Sequence, residues 1–246
     1  SDVCSSDLRG LGYQDVGRAV AMRADTPLHV DGLTEIVTAG LVLRCAEENR
    51  LELDAPIGTY LPDAEEPATT LRQILSHTSG APEARVYAYR PDRLEWLASA
   101  VRSCSGQSFR DTTALLLEQL AMVHSVPGAD VLTQAPPAED LPSSARLAHY
   151  AAALGRLATP YSVNAAKRAS VSQFTATTLT SATGLIASVH DLAQFDLALR
   201  SGILVAPETL ADARRPALDA TGKPLPHGLG WFVQSYNGEP VVWQFG

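Results

Sequence analysis

The chain has 246 residues, 46% of them apolar, and a formal charge of −8 at neutral pH. This length and apolar content allow a substantial hydrophobic core. Because phosphate contacts need clustered cations and the 19 basic residues are dispersed, nucleic acid is not expected as a partner. No apolar run approaches the roughly 20 residues of a membrane span, and the first residues show no signal-peptide pattern. These observations do not determine the cellular compartment of the protein.

The cysteines and histidines show no recognisable ligand spacing. Cys4, Cys45 and Cys104 are an odd, scattered set without a CxxC pair, so we predict neither a zinc site nor a disulfide framework. Cys45 is interpreted as a small buried apolar residue. The six histidines include no HExxH pattern, and we therefore predict no metal and no cofactor.

Residues 1–8 are polar and aperiodic, and we interpret them as a non-native segment outside the fold. Residues 10–21 read as the end of a strand, and residues 27–30 as a second short extended segment. Residues 9–246 are predicted to form a single domain, in which a helical region of about residues 60–200 is inserted between segments of sheet.

The stretch from Thr26 to Asp54 contains the strongest helix of the chain. From Leu33, apolar residues recur at intervals of three and four, the period of a helix that buries one face. The start of such a helix presents unpaired backbone N–H groups and the positive end of the helix dipole, which suits a nucleophile. A nucleophile and a base three residues later would share one face of this helix.

The residues around this helix start resemble the serine beta-lactamase-related family. That family groups class C beta-lactamases, penicillin-binding D,D-peptidases and related esterases. In its pattern, TPF is followed after three residues by SxxK, in which the serine attacks an acyl carbonyl and the lysine faces it. Thr26-Pro27-Leu28 matches the start of the pattern, so Gly32 occupies the nucleophile position and Glu35 the position of the base.

Both chemical side chains of this pattern are missing. Glycine has no attacking atom, and a glutamate anion would repel a developing oxyanion. The only lysines, Lys167 and Lys223, have no serine three residues before them, so no SxxK exists anywhere in the chain.

The next segment, residues 69–80, combines a helix start with a family motif. Thr70 and Gln73 have the spacing of a capping box ahead of a short helix that we expect to end near Gly80. LRQILSHTSG at residues 71–80 resembles the family string LLxHTSG. His77 and Ser79 invite a catalytic interpretation, but side chains two apart in a turn rarely face each other, and we interpret both as turn residues.

Tyr89 falls where the family carries the tyrosine of its YxN motif, counted back from an SGxSF string at residues 105–109. The resemblance implies that this tyrosine takes part in proton transfer. Arg90 and Pro91 replace the rest of the motif, and Tyr87 is an equal candidate for the alignment.

The last third of the chain contains a second long stretch that resembles the family, at residues 178–204, and a predicted hairpin. Ser188 and Asp191 are predicted to form a capping box, which accounts for Asp191 better than a dyad with His190 does. Asn237-Gly238 is a turn signal between alternating strands. Gln244, Phe245 and Gly246 replace the family's K/HxG triplet, which lines the substrate-binding edge. In the family the strand beyond this triplet supplies an oxyanion-hole N–H, and the chain ends before it.

The resemblance implies an α/β fold, an antiparallel sheet flanked by helices plus a helical region, which we expect to be incomplete at both ends. It implies acyl-serine hydrolysis of a small-molecule or peptide substrate: a beta-lactam, a D-Ala peptide or an ester. We predict that this copy is inactive. The alternatives are a non-catalytic module that binds peptide or peptidoglycan fragments, a hydrolase that uses Ser79 or Thr34, and a fragment with unpaired strand edges that does not fold stably. The oligomeric state is left open.

Overall fold

The structure is a computed structural model that describes residues 8–79, 85–133, 144–174 and 176–246. Its helices are α1 (Thr34–Glu47), α2 (Leu71–Leu75), α3 (Pro91–Leu94), α4 (Leu97–Ser105), α5 (Phe109–Gln119), α6 (Ser144–Leu154), α7 (Val189–Arg200) and α8 (Pro207–Ala213). Its strands are β1 (Tyr13–Asp15), β2 (Val20–Ala21), β3 (Leu28–His29), β4 (Tyr161–Val163), β5 (Ala169–Val171), β6 (Ile186–Ala187), β7 (Phe232–Tyr236) and β8 (Glu239–Trp243). The strands form antiparallel pairs, β1–β2, β3–β6, β4–β5 and β7–β8. This mixture of helices and small antiparallel sheets confirms the predicted α/β class.

The chain divides into two compact units. The first unit comprises Ser1–Asp31, Ala114–Leu179 and Gly184–Leu197, and the second comprises Gly32–Thr113, Thr180–Thr183 and Ala198–Gly246. Within the first unit, buried side chains of α6 and β6 pack against buried side chains of the segment between α5 and α6. The cluster consists of Val126, Val131, Tyr150, Ala153 and Ile186. No helix of the described ranges is both long enough and apolar enough to cross a membrane.

Helix α1 is the centre of the second unit. It is buried around most of its circumference, since Val37, Leu41 and Val42 are as inaccessible as the residues of the predicted apolar face. A helix that is apolar all round belongs in a core and not at a surface. The one-face prediction was therefore too narrow, and the observed helix ends at Glu47.

A disulfide joins α1 to α4 and corrects the prediction for the cysteines. Cys45 and Cys104 are bonded, with their Cα atoms 6.1 Å apart. Both are buried, as expected for Cys45, but as a covalent pair. The sequence could not show this pairing, because the two residues are separated by 59 positions and meet only where α4 packs on α1. Cys4 lies outside the described residues.

The predicted capping box at the start of α2 is confirmed. The Thr70 hydroxyl accepts a hydrogen bond from the Gln73 backbone N–H at 3.2 Å, and the Gln73 side chain accepts one from the Thr70 N–H at 2.9 Å. Helix α2 ends at Leu75, earlier than predicted, and Gly80 lies outside the described residues.

The predicted hairpin is also confirmed, and it positions the end of the chain. Asn237 and Gly238 both have positive φ, 52° and 84°, the conformation that a tight two-residue hairpin turn requires. Strands β7 and β8 pair from Tyr236 and Glu239 at the turn to Phe232 and Trp243 at the open end. The chain therefore leaves β8 at Gln244, close to the residues that precede β7.

Candidate active site

A short 3-10 turn, Asp31–Leu33, leads into α1 and sets the positions of Gly32 and Glu35. Gly32 is buried in this turn, and Glu35 lies one helical turn further along with no exposed surface. Tyr89, Gln244 and Phe245 come to the same place from two other parts of the second unit. The structure thus brings together five of the six residues that the sequence singled out.

The carboxylate of Glu35 is the hub of this cluster. Its Oε1 atom accepts a hydrogen bond from the Tyr89 hydroxyl at 2.6 Å, and its Oε2 atom accepts one from the Gln244 side-chain amide at 2.8 Å. The amide oxygen of Gln244 in turn accepts from the backbone N–H of Phe245 at 3.1 Å. Gly246 follows as an exposed residue. Charge-assisted bonds of this kind fix the carboxylate in one orientation.

A side chain at position 32 would meet the end of β8. A Cβ atom built on Gly32 lies 2.8 Å from the carbonyl oxygen of Phe245 and 3.6 Å from the Tyr89 hydroxyl oxygen. The first distance is below ordinary van der Waals contact, and the obstacle is backbone. The space beside the helix start therefore fits glycine, and a larger residue requires the backbone at Phe245 to move.

The hydroxyl contact to Glu35 is made by Tyr89, one of the two tyrosines that could align with the family motif. Tyr87 packs edge-on against His77, with ring centroids 6.2 Å apart. Burial, together with the negative charge of Glu35, raises the pKa of Tyr87. The Tyr89 ring lies 5.5 Å from that of Phe245 and is 36% exposed, so it forms part of the wall of the site.

His77 belongs to this cluster although the sequence interpretation placed it only in a turn. Its Nδ1 atom accepts a hydrogen bond from the Arg90 backbone N–H at 3.1 Å, so the N–H of the ring is at Nε2. Nε2 lies 3.6 Å from Glu35 Oε2, beyond hydrogen-bonding distance, and no other described residue bonds to it. The imidazole therefore turns its N–H edge toward the carboxylate.

A second buried histidine, His227, packs against His77 with ring centroids 4.7 Å apart. Its Nδ1–H donates to the Gly228 carbonyl at 2.8 Å. Burial lowers the pKa of His227 to about 3, His77 adds to the effect, and the Gly228 carbonyl opposes it. His227 is therefore neutral at pH 7. No signal in the sequence distinguishes it from a surface histidine ahead of a hairpin.

Acid should destabilise the protein through His227. The unfolded histidine has a pKa of about 6.5, and the folded pKa is lower, so the unfolded state binds the proton first and stability is lost as pH falls from about 6.5 toward 3. Between pH 7 and pH 5 this group alone should remove about 2 kcal/mol from the free energy of unfolding. Urea titrations at the two pH values should show a smaller loss in His227→Asn, and an equal loss in both proteins would contradict the assignment.

The other candidate nucleophiles are buried. Ser79 is 4% exposed and its hydroxyl has no hydrogen-bond partner among the described residues, so the described ring of His77 does not activate it. Thr34 is 1% exposed, on α1.

In the first unit, the Ser188 hydroxyl accepts a hydrogen bond from the Asp191 backbone N–H, as the predicted cap requires. The Asp191 carboxylate accepts hydrogen bonds from the His124 backbone N–H and the Ser125 hydroxyl.

Comparison with known proteins identifies relatives of this chain. A family model described as Beta-lactamase matches residues 8–246. Esterase EstB of Burkholderia gladioli is 37% identical over 79 residues, which are 29% of this chain and 20% of the esterase. The matched stretch thus spans about a fifth of that relative's length.

Two solved structures show the same fold at low sequence identity. The octameric penicillin-binding protein homologue from Pyrococcus abyssi superposes with a TM-score of 0.73 at 18% identity, covering 95% of this chain and 59% of its own. The D-amino acid amidase from Ochrobactrum anthropi SV3 superposes with a TM-score of 0.70 at 16% identity, covering 95% of this chain and 73% of its own. At these identities the likeness establishes the fold alone.

Proposed function

This chain belongs to the beta-lactamase family, and we propose that it keeps the serine hydrolase fold of that family without forming an acyl-enzyme. The observation that carries the proposal is Gly32, which aligns with the nucleophile of the family motif, lies in the turn before α1 and has no atom that could attack a carbonyl. The carbonyl oxygen of Phe245 lies where a side chain would begin, which supports the same conclusion.

The negative charge of the Glu35 side chain also disfavours acyl transfer. Attack on an acyl carbonyl places negative charge on the carbonyl oxygen, and catalysis depends on donors or cations aimed at that charge. Glu35 contributes a carboxylate that already takes the Tyr89 hydroxyl and the Gln244 amide as donors. Tyr89, the proposed proton relay, is thus engaged by an anion, and Gln244 at the proposed substrate-binding edge is turned toward the same group.

The substrate class of the parent reaction follows from the family. We propose that an ancestral copy acted on small acyl compounds or peptides, by acyl-serine hydrolysis of a beta-lactam, a D-Ala peptide or an ester. The relatives described as esterase, penicillin-binding protein homologue and D-amino acid amidase are consistent with this class.

Labelling with acyl-enzyme probes tests the proposal. The purified chain is incubated with a fluorescent penicillin and, separately, with a fluorophosphonate, and its intact mass is measured. We expect no adduct with either reagent while an active serine hydrolase of the family reacts in parallel. A stoichiometric adduct on any side chain of this protein would refute the proposal.

A binding role for peptide or peptidoglycan fragments is the second candidate. It is favoured by the partly exposed rings of Tyr89 and Phe245, 36% and 47% accessible, which flank the polar group of Gln244. Aromatic faces beside a few fixed polar groups are typical of ligand sites. Saturable calorimetric binding of a D-Ala-terminated peptide, with no release of D-alanine, would favour this role over a site without any ligand.

A further inference from the structure

We propose that His124, His190 and Asp191 form a zinc-binding site in the first unit, separate from the site at Gly32. One ring nitrogen of each histidine and one carboxylate oxygen lie within 4.8 Å of one another. His124 is distant in sequence from the other two residues, which are adjacent at the start of α7, so no motif announces the cluster. The scattered histidines therefore gave no reason to predict a metal.

Asp191 is held as a metal-ligating carboxylate usually is. The residue is fully buried, and its Oδ2 atom accepts hydrogen bonds from the His124 backbone N–H and the Ser125 hydroxyl, both at 2.7 Å. These bonds fix the plane of the carboxylate, which is what outer-shell partners do for metal ligands. The other oxygen, Oδ1, accepts a hydrogen bond from Nδ1 of His190 at 3.3 Å.

The two histidines complete an open three-ligand set. Their ring centroids are 6.0 Å apart and the ring planes are inclined at 69°. Bonds of about 2.1 Å to a tetrahedral zinc ion require ligand atoms about 3.4 Å apart, so a pair of ligand atoms 4.8 Å apart must close by about 1.4 Å. The His190 side chain is 31% exposed and can make that adjustment. Two imidazoles and one carboxylate match zinc better than calcium or magnesium, which prefer oxygen ligands.

Arg156 occupies part of this corner and should compete with the metal. Its Nη2 atom lies 2.9 Å from His124 Nδ1, and because a guanidinium can only donate, Nδ1 accepts. A neutral imidazole that binds a metal through one nitrogen carries its proton on the other. In a metal-bound His124, Nδ1 is therefore either bound to the metal or protonated. In both cases it cannot accept a hydrogen bond from Arg156, so the guanidinium must move away. The Arg156 side chain is 43% exposed and also pairs with Asp25 at 3.3 Å, which gives it an alternative position.

Calorimetric titration with zinc chloride tests the site, with tag-free full chain at pH 7.5. We expect one equivalent of zinc to bind the wild type and His190→Ala to weaken the affinity at least about tenfold. His149→Ala removes an exposed histidine of the same unit that is outside the cluster, and it should leave the affinity unchanged. Absence of stoichiometric binding, or equal weakening by His149→Ala and His190→Ala, would overturn the proposal.

Arg156→Gln provides a test in the opposite direction. Removal of the competing guanidinium should strengthen zinc binding, because the metal then no longer has to displace a hydrogen bond to His124 Nδ1. Titration of cobalt chloride into the same variant, followed by visible absorption, should show the bands of a tetrahedral ion at lower metal concentration than in the wild type. Weaker binding of both metals by Arg156→Gln would contradict the arrangement.

Discussion

Gly32→Ser combined with Glu35→Lys is expected to react with a fluorescent penicillin about 100 to 10,000 times faster than Gly32→Ser alone. The single variant gains an attacking hydroxyl, but its neighbour on α1 remains a carboxylate that holds Tyr89 and Gln244. The double variant places a base one helical turn from the hydroxyl, within reach of a single proton transfer. General-base assistance of that kind accounts for the expected ratio.

The new side chain has a steric cost that must be separated from its chemistry. A Cβ atom at position 32 lies 2.8 Å from the Phe245 carbonyl, so we expect Gly32→Ser to lower the free energy of unfolding by about 1–3 kcal/mol. Gly32→Ala introduces the same Cβ atom without the hydroxyl and should lower stability by a similar amount.

Gly32→Ala combined with Glu35→Lys is therefore the matched control for reactivity. Adduct formation is followed by fluorescence in a denaturing gel and located by peptide mass spectrometry. The adduct should map to position 32 in the serine variants and be absent from the alanine control. An adduct of equal yield in the control would place the reactive group elsewhere, and equal rates for the single and double serine variants would contradict the role assigned to position 35.

The features that the sequence predicted correctly are those with local causes. The capping box of Thr70 and Gln73 and the turn at Asn237 and Gly238 depend on residues close together in the chain. The spacing of family motifs assigned Gly32, Glu35, Tyr89 and residues 244–246 to one site, and their roles there stay a prediction. Pattern alone gives no distance between α1 and the end of β8.

The features that the sequence missed depend on packing between distant segments. The turn interpretation of His77 omitted its approach to Glu35, because that contact depends on how the segment after α2 lies against α1. His227 is buried against the same ring, which a hairpin pattern does not indicate. The burial of α1 around its circumference likewise depends on neighbours from several parts of the chain, so the apolar period of the helix underestimated it.

Loss of the disulfide is expected to lower the free energy of unfolding by about 4 kcal/mol. The bond joins Cys45 on α1 to Cys104 on α4 across 59 residues, and closing a loop of that length restricts the unfolded chain strongly. Cys45→Ala combined with Cys104→Ala should show this loss in urea titrations, because both positions are buried and tolerate a small apolar residue.

Reduction of the wild type provides the internal control for that variant, since it breaks the same bond without changing the sequence. Dithiothreitol should lower the urea midpoint of the wild type nearly to that of the double variant and should leave the double variant unchanged. Because α1 carries Glu35 in its first turn and Cys45 near its end, the cross-link also holds the helix that positions the site. A wild type whose unfolding is insensitive to reductant would show that packing of α4 on α1, and not the covalent bond, stabilises this part of the second unit.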